Sequence, residues 1–250
     1  MNDVILSTDG LSKRFNGFVA VEDVSLKVLD GTIHALIGPN GAGKTTVFNL
    51  LTKFLSPTEG RIYYRGEDIT SLTPMQIAHR GMARSFQISA VFPSLTCQAN
   101  VRLALQRKRN DRFAFWRSER ILSSLDETVD NLLEDVGLTA YRDKRAAQLS
   151  YGRKRALEIA TTLALDPKML LLDEPMAGMA HEDIDRVAEL IRRVAANRTV
   201  LMVEHNLSVV ASLCDKITVL ARGRVLAEGT YEEVSKNDSV IEAYLGTAHA

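Results

Sequence analysis

The segment GPNGAGKT, residues 38–45, decides the fold, and we call it the phosphate loop. It fits the pattern G-x-x-x-x-G-K-[ST]. The apolar run TIHALIG before it predicts a strand, and KTTVFNLLTKFL after it predicts a helix that stops before Ser56-Pro57. Such a turn between a strand and a helix predicts a nucleotide phosphate site, because its backbone N–H groups can point inward and the helix N-terminus attracts anions.

Each residue type in the phosphate loop has a physical task. Lys44 would reach the β- and γ-phosphates, Thr45 would supply a hydroxyl to Mg²⁺, and Thr46 would lie near the α-phosphate. A chance glycine-rich turn is the disfavoured alternative. We therefore expect ATP to contact the phosphate loop and the residue after it, namely Gly38, Pro39, Asn40, Gly41, Ala42, Gly43, Lys44, Thr45 and Thr46.

Three further predicted strands end in polar residues. MLLLDE ends in Asp173, which can hold Mg²⁺, and Glu174, which can act as general base. VEH ends in His205 and ARSFQ ends in Gln87, which could contact the γ-phosphate, its attacking water or the metal. Taken alone, each has an ordinary structural alternative. Parallel strands bring their carboxyl ends to one sheet edge, however, so we expect these side chains beside the phosphate loop.

Strands and helices alternate at both ends of the chain, which predicts an α/β fold with a mostly parallel sheet. The character changes after Gln87: from about 90 to 164 the pattern is mostly helical, and alternation resumes after Asp166-Pro167. The helical stretch therefore predicts an insertion into the α/β core. We divide the single domain 1–250 into a nucleotide-binding core (about 1–88 and 165–250) and a helical subdomain (about 89–164).

Composition excludes several classes. Lys+Arg and Asp+Glu both number 31, so the zero net charge disfavours a bulk nucleic-acid binder. No apolar run approaches the ~18 residues of a membrane-spanning helix, and the N-terminus lacks a signal-peptide pattern. The two cysteines, Cys97 and Cys214, lie far apart and predict a reduced, cytosolic compartment.

The segment LSYGRKR, residues 149–155, begins a predicted helix with an unexpected charge. Helix N-termini favour acidic residues, yet Arg153, Lys154 and Arg155 occupy the first turns. Either an anion arrives at this helix end or the cations form a solvated basic face. Ser150 also suits a simple N-cap.

Five motifs follow one another along the chain: the phosphate loop, a strand ending in Gln87, a helical insertion closed by LSYG, a strand ending in DE and a strand ending in His. Together, in this order, they resemble the ATP-binding subunit of ABC transporters. The resemblance covers essentially the whole chain and is strongest to branched-chain amino acid uptake systems, on GMARSFQ, VFPSLTCQANV, RKRNDRFAFWRSER, DEPMAGM and VIEAYLG. It implies a P-loop NTPase (RecA-like) core with an N-terminal antiparallel β subdomain and an inserted α-helical subdomain.

The resemblance also implies site residues. Glu174, His205 and Gln87 would be catalytic, and Thr45, Gln87 and Asp173 would hold Mg²⁺. Phe15 would stack on adenine, although a core Phe in a strand pair is the alternative. LSYG would be the signature segment that closes over ATP bound to a second subunit through Ser150 and Gly152.

Two departures from the family pattern stand out. The common signature form is LSGGQ, so Tyr151 replaces a Gly and Arg153 replaces Gln. Ala180 stands where the family usually has an Asp that bridges the two subunits. The second departure favours a different ATPase, rather than a second copy, as the partner.

The expected function is an ATPase that powers an importer for branched-chain or other amino acids. The expected cofactors are ATP and Mg²⁺, and the expected partners are permease subunits, a second ATP-binding subunit and, indirectly, a periplasmic binding protein. The expected place is the cytoplasmic face of the inner membrane, as a peripheral subunit. Lipopolysaccharide export and urea or amide uptake remain alternatives. A soluble ABC ATPase of DNA repair or translation is disfavoured, because neither long coiled coils nor a second cassette is present.

Overall fold

The computed structural model describes residues 3–85, 91–108 and 119–245, and the side chains of 3–85, 91–106 and 125–244. The strands are β1 (Val4–Phe15), β2 (Phe18–Val24), β3 (Lys27–Leu29), β4 (Ile33–Ile37), β5 (Glu59–Tyr64), β6 (Glu67–Asp68), β7 (Met82–Ser85), β8 (Met169–Asp173), β9 (Thr199–Val203), β10 (Lys216–Ala221) and β11 (Arg224–Gly229). The helices are α1 (Lys44–Leu51), α2 (Pro74–His79), α3 (Cys97–Lys108), α4 (Glu119–Asp135), α5 (Tyr151–Leu163), α6 (His181–Ala195), α7 (Leu207–Leu213), α8 (Tyr231–Ser235) and α9 (Asp238–Leu245).

The chain forms two compact units, and the first comprises 1–84, 168–175 and 195–250. Its larger sheet has the order β11-β10-β4-β9-β8-β7, with parallel pairs β10–β4, β4–β9 and β9–β8. Every residue of β4, β8 and β9 is buried, as expected for parallel strands covered on both faces. The smaller sheet is antiparallel, with β1 pairing β2, β3 and β5. These sheets confirm the predicted α/β class with an antiparallel β subdomain.

The first unit has one continuous apolar core that ties the phosphate-loop helix to the sheets. Phe48 and Leu51 of α1 are fully buried in it, together with Leu171 of β8 and Leu201 of β9. Because α1 is anchored on the sheet by these side chains, its N-terminus has a fixed position relative to the strand ends.

The second unit comprises 85–167 and 176–194. Helices α3, α4 and α5 pack against one another. Their facing positions carry buried apolar residues, among them Val101, Val129, Leu133 and Leu157. The helical insertion predicted from the sequence is therefore present.

Two predicted helix boundaries are wrong. Helix α1 ends at Leu51 rather than near Leu55, because Lys53 takes a left-handed backbone (φ 63°) and the N–H of Leu55 turns back to donate to Asn49 O at 3.0 Å. The pattern of the tail segment EEVSKNDSVIEAYLG predicts one helix, but its described part forms two, α8 and α9. Asn237 separates them: its side-chain oxygen accepts the N–H groups of Ser239 (3.0 Å) and Val240 (3.4 Å) and starts α9.

Candidate nucleotide-binding site

The phosphate loop follows β4 and includes the first two residues of α1. Gly38 and Gly43 have φ angles of 149° and 99°. A Cβ atom on Gly38 would lie 2.1 Å from Leu220 O, and one on Gly43 would lie 2.7 Å from Ala20 O. Both positions therefore require glycine for space as well as for backbone conformation, since no side chain fits between the loop and its neighbours.

The turn between β10 and β11 supports this loop from outside. Gly223 N–H donates to Ala42 O at 3.0 Å, and a Cβ on Gly223 would lie 2.8 Å from Ala20 O. Nothing in the sequence of this turn indicates its contact with the phosphate loop. The loop is thus enclosed by two segments, one around Ala20 and one at 220–223.

The side chain of Lys44 folds back on the first residues of the phosphate loop. Its ammonium donates to Gly38 O at 2.7 Å and to Pro39 O at 3.0 Å. Burial lowers the pKa of Lys44 from its ordinary value because it disfavours the charged form, and the carboxylate of Glu174 opposes that shift. A buried cation and a carboxylate therefore share the site, where added phosphate charge would stabilise the cation.

Asp173 and Glu174 stand at the end of β8. Asp173 is 1 % exposed. Glu174 has a left-handed backbone (φ 46°), and its N–H donates to Val203 O at 2.9 Å. Such a conformation costs a non-glycine residue on the order of 1 kcal/mol, so the surrounding strands must hold it in place. The backbone turns away from β8 at Glu174.

His205 lies next to Glu174. Its Nε2 is 2.8 Å from Glu174 Oε1, within hydrogen-bond distance. The sequence did not predict the role of the preceding residue: Glu204 is buried, and its Oε2 accepts the N–H groups of His205 (2.8 Å) and Asn206 (3.0 Å). An acid at the end of an apolar strand was the available signal. Glu204 fixes the backbone that carries the histidine.

Arg84 is a second residue that sequence reasoning missed. Its Nη2 donates to Asp173 Oδ2 at 2.5 Å, so the predicted metal-binding carboxylate has a guanidinium partner within the chain. Arg84 was visible only as part of the strand ARSFQ, and nothing local to that strand indicates which acid it meets.

The remaining predicted residues of the first unit differ in exposure. Phe15 ends β1 opposite Phe18, is 40 % exposed, and has Lys13 Nζ 5.1 Å from its ring centroid. It therefore lies at the surface of the strand pair. This exposure contradicts the alternative that Phe15 is a core residue of the pair. Thr45 is exposed and Thr46 partly buried. Gln87 lies outside the described residues.

The second unit contains the signature segment at the start of α5. Ser150 occupies the N-cap position, but its side chain makes no capping hydrogen bond. A Cβ on Gly152 would lie 2.6 Å from the carboxyl carbon of Asp183. A side chain at 152 would therefore force Asp183, in the same unit, to shift.

The three cations after the signature glycine have different surroundings. Arg155 is buried, with Nη1 2.6 Å from Glu158 Oε2. The guanidinium carbon of Arg153 lies 4.3 Å from the ring centroid of Tyr141. A uniformly solvated basic face is therefore wrong, because Arg155 belongs to a buried ion pair and Arg153 stacks on an aromatic ring.

Residues 21–177 match the family model described as ABC transporter, which is more than half of the chain. The chain belongs to the ABC transporter family. This ABC chain is accordingly an ATP-binding subunit and an ATPase. A second model, described as branched-chain amino acid ATP-binding cassette transporter, matches residues 224–250.

Relatives of this ABC ATPase match it over nearly their full length. It is 42 % identical over 258 residues to the high-affinity branched-chain amino acid transport ATP-binding protein BraF of Pseudomonas aeruginosa, covering 99 % of this chain and 100 % of that protein. Identity to LivG of Escherichia coli is 38 % over 255 residues, with the same coverage. A solved ABC transporter ATP-binding cassette in its ADP conformation superposes with a TM-score of 0.84 at 31 % identity, covering 98 % of this chain and 99 % of that one.

Within the described ranges, no helix of this ABC ATPase has both the length and the apolar character needed to cross a bilayer.

Proposed function

We propose that this chain binds ATP with Mg²⁺ and hydrolyses it to power an importer for branched-chain or related amino acids. The observation that carries the hydrolytic part is the Glu174–His205 contact of 2.8 Å at the sheet edge that also bears Lys44 and Asp173. The amino acid class is supported by the names of BraF and LivG and by the match at 224–250.

The oxygen donors at the end of β8 and the start of α1 suit Mg²⁺. Asp173 offers a buried carboxylate and Thr45 a hydroxyl in the first turn of α1. Mg²⁺ is commonly held by one or two carboxylates plus substrate phosphates, and within the described residues no cluster of three or more His, Cys, Asp or Glu forms a cage of its own. Bound there, Mg²⁺ would neutralise charge on the phosphates. Gln87 remains a proposed further ligand.

The side chains then have separate tasks. Lys44 and the loop N–H groups bind phosphate oxygens, and Phe15 offers an exposed ring to adenine. Glu174 accepts the proton of the attacking water, and His205 orients the Glu174 carboxylate. Gln87 contacts the attacking water or Mg²⁺.

Assembly follows from the same proposal. The chain works as one domain, 1–250, with core and helical subdomain as divided above. The signature residues Ser150 and Gly152 contact the ATP bound to a second ATP-binding subunit. Because Ala180 replaces the usual bridging Asp, a different ATPase is favoured as this second subunit. The complex stands at the cytoplasmic face of the inner membrane with permease subunits and, indirectly, a periplasmic binding protein. Phe92, 53 % exposed, is a candidate permease contact.

Phosphate release by Lys44→Ala and Glu174→Gln tests the hydrolytic proposal. Lys44→Ala should lose nearly all turnover because the phosphates lose their buried cation. Glu174→Gln should bind ATP and hydrolyse it at least 10²-fold more slowly, giving an ATP-stabilised dimer on gel filtration with its partner. Lys236→Ala, an exposed change on the α8 C-cap, is the matched control. Turnover close to the wild type in either site variant would refute the assignment of that residue.

Transport itself requires the partners. We expect the chain to co-purify with two permease subunits and to drive uptake of leucine, isoleucine or valine into vesicles supplied with the cognate binding protein. Uptake of urea or amides, with no uptake of amino acids, would refute the substrate class while leaving the ATPase assignment intact.

A further inference from the structure

Arg84 connects three parts of the proposed nucleotide site. From β7, its Nη2 contacts Asp173 Oδ2 of β8 at 2.5 Å, with side chains only 10 % and 2 % exposed. Its Nη1 donates to Asn49 Oδ1 of α1 at 2.6 Å and lies 3.4 Å from Thr52 Oγ1, just after that helix. One guanidinium therefore joins the predicted metal carboxylate to the helix that carries the phosphate loop.

The surroundings restrict the motion of Arg84. Its guanidinium carbon lies 5.8 Å from the ring centroid of Phe48 and 5.9 Å from that of Phe54. Phe48 is fully buried, so one side of this contact is part of the core. A planar guanidinium with separate nitrogens directed at separate acceptors is pre-organised in a way that a lysine ammonium is not.

We propose that Arg84 is a positioning residue for Mg²⁺ binding, an inference that rests on the proposed function. It neutralises the buried Asp173 carboxylate in the absence of metal and fixes its rotation through Oδ2. It also fixes the carboxylate relative to α1. The metal site is therefore set before Mg²⁺ and ATP arrive, and binding does not have to supply the ordering of this side chain.

Nucleotide affinity with and without Mg²⁺ separates this role from simple stabilisation. Dissociation constants for a fluorescent ATP analogue are measured in excess Mg²⁺ and in EDTA. We expect Arg84→Met to weaken binding about 10- to 100-fold in Mg²⁺, the usual effect of removing a residue that orients a metal ligand, and to leave binding in EDTA nearly unchanged. Arg84→Lys keeps the charge but not both contacts, so it should fall between wild type and Arg84→Met.

Two controls sharpen the test. Arg80→Met removes an exposed Arg whose partner Glu67 is 3.2 Å away, and it should change neither constant. Asp173→Asn and the double variant Arg84→Met/Asp173→Asn should show the same loss of Mg²⁺ dependence, because Arg84 then has no metal carboxylate to position.

The outcomes are distinguishable. Equal weakening in Mg²⁺ and EDTA would mean that Arg84 has only a structural role, and additive losses in the double variant would mean that it does not act through Asp173; either result overturns the proposal. If Arg84→Met does not fold, Arg84→Lys and Asn49→Ala, which releases the other end of the guanidinium, must show the Mg²⁺-specific loss. Wild-type protein that binds no ATP would instead refute the proposed function.

Discussion

His34 should make the stability of this protein fall in mild acid. It lies on β4, the strand that leads into the phosphate loop, and is fully buried. Its Nε2 is 2.8 Å from Thr218 Oγ1 on β10. Burial lowers the pKa of His34 to about 4, with Glu228 opposing the shift and Lys216 adding to it. The unfolded chain, with an ordinary pKa near 6.5, therefore binds a proton more readily than the folded one.

The sign and size of the effect follow from linkage. Because the unfolded state gains the proton first, stability is fully present above pH ~6.5 and is lost as the pH falls towards about 4. At 1.36 kcal/mol per pKa unit, the full loss is about 3 kcal/mol, and about 2 kcal/mol of it has occurred at pH 5. For a chain of this size, 2 kcal/mol corresponds to a shift in Tm of roughly 4–8 °C.

Thermal unfolding of wild type and His34→Gln at pH 7.5 and 5.0 measures this contribution. Both proteins share all other titrating groups, so the difference between their Tm shifts isolates His34. We expect the wild-type Tm to fall about 4–8 °C further than that of the variant. Equal shifts would refute the reasoning. If the variant does not fold, titration of the His34 ring protons by NMR in the wild type must give a pKa well below 6.

Two further consequences can be checked directly. Gly152→Ala should lower Tm because its Cβ would meet the Asp183 carboxyl carbon at 2.6 Å, and adding Asp183→Ala should recover part of the loss; an unchanged Tm in Gly152→Ala would contradict the close approach. Cys214 should react with a disulfide reagent about 30-fold more slowly than a free thiol at pH 8. Burial raises its pKa to about 12, which lowers the thiolate population about 1000-fold, and the greater nucleophilicity of that thiolate recovers about 30-fold of this loss. Labelling as fast as in the unfolded chain would exclude that pKa.

The sequence predicted the first unit well where local signals were strong. The apolar strands β4, β8 and β9 and the glycine pattern at 38–43 have few alternative structures, so strand, turn and helix could be assigned. The end of α1 at Leu51 and the break between α8 and α9 at Asn237 were missed because LTKF and SKND contain residues that tolerate helix. Their backbones are decided by particular hydrogen bonds.

Contacts between distant residues were the least predictable part. Asp173 was recognisable as a strand-end acid, but its partner Arg84 is 89 positions away and carries no local mark. The same holds for Arg155, which looked like surface charge until the fold buried it beside Glu158. Charge alone does not tell whether a side chain is solvated, since that depends on which elements pack around it.

The support of the phosphate loop by the β10–β11 turn has a consequence for biosynthesis. The loop is synthesised early, yet Gly223, whose N–H donates to Ala42 O, is added to the chain about 180 residues later. At roughly 5–20 residues per second, a ribosome needs on the order of 10–40 s to add that length. During this interval the nascent chain lacks one of the two segments that enclose the loop. A ribosome-stalled chain that ends before Lys216 should therefore bind ATP analogues more weakly than the released protein.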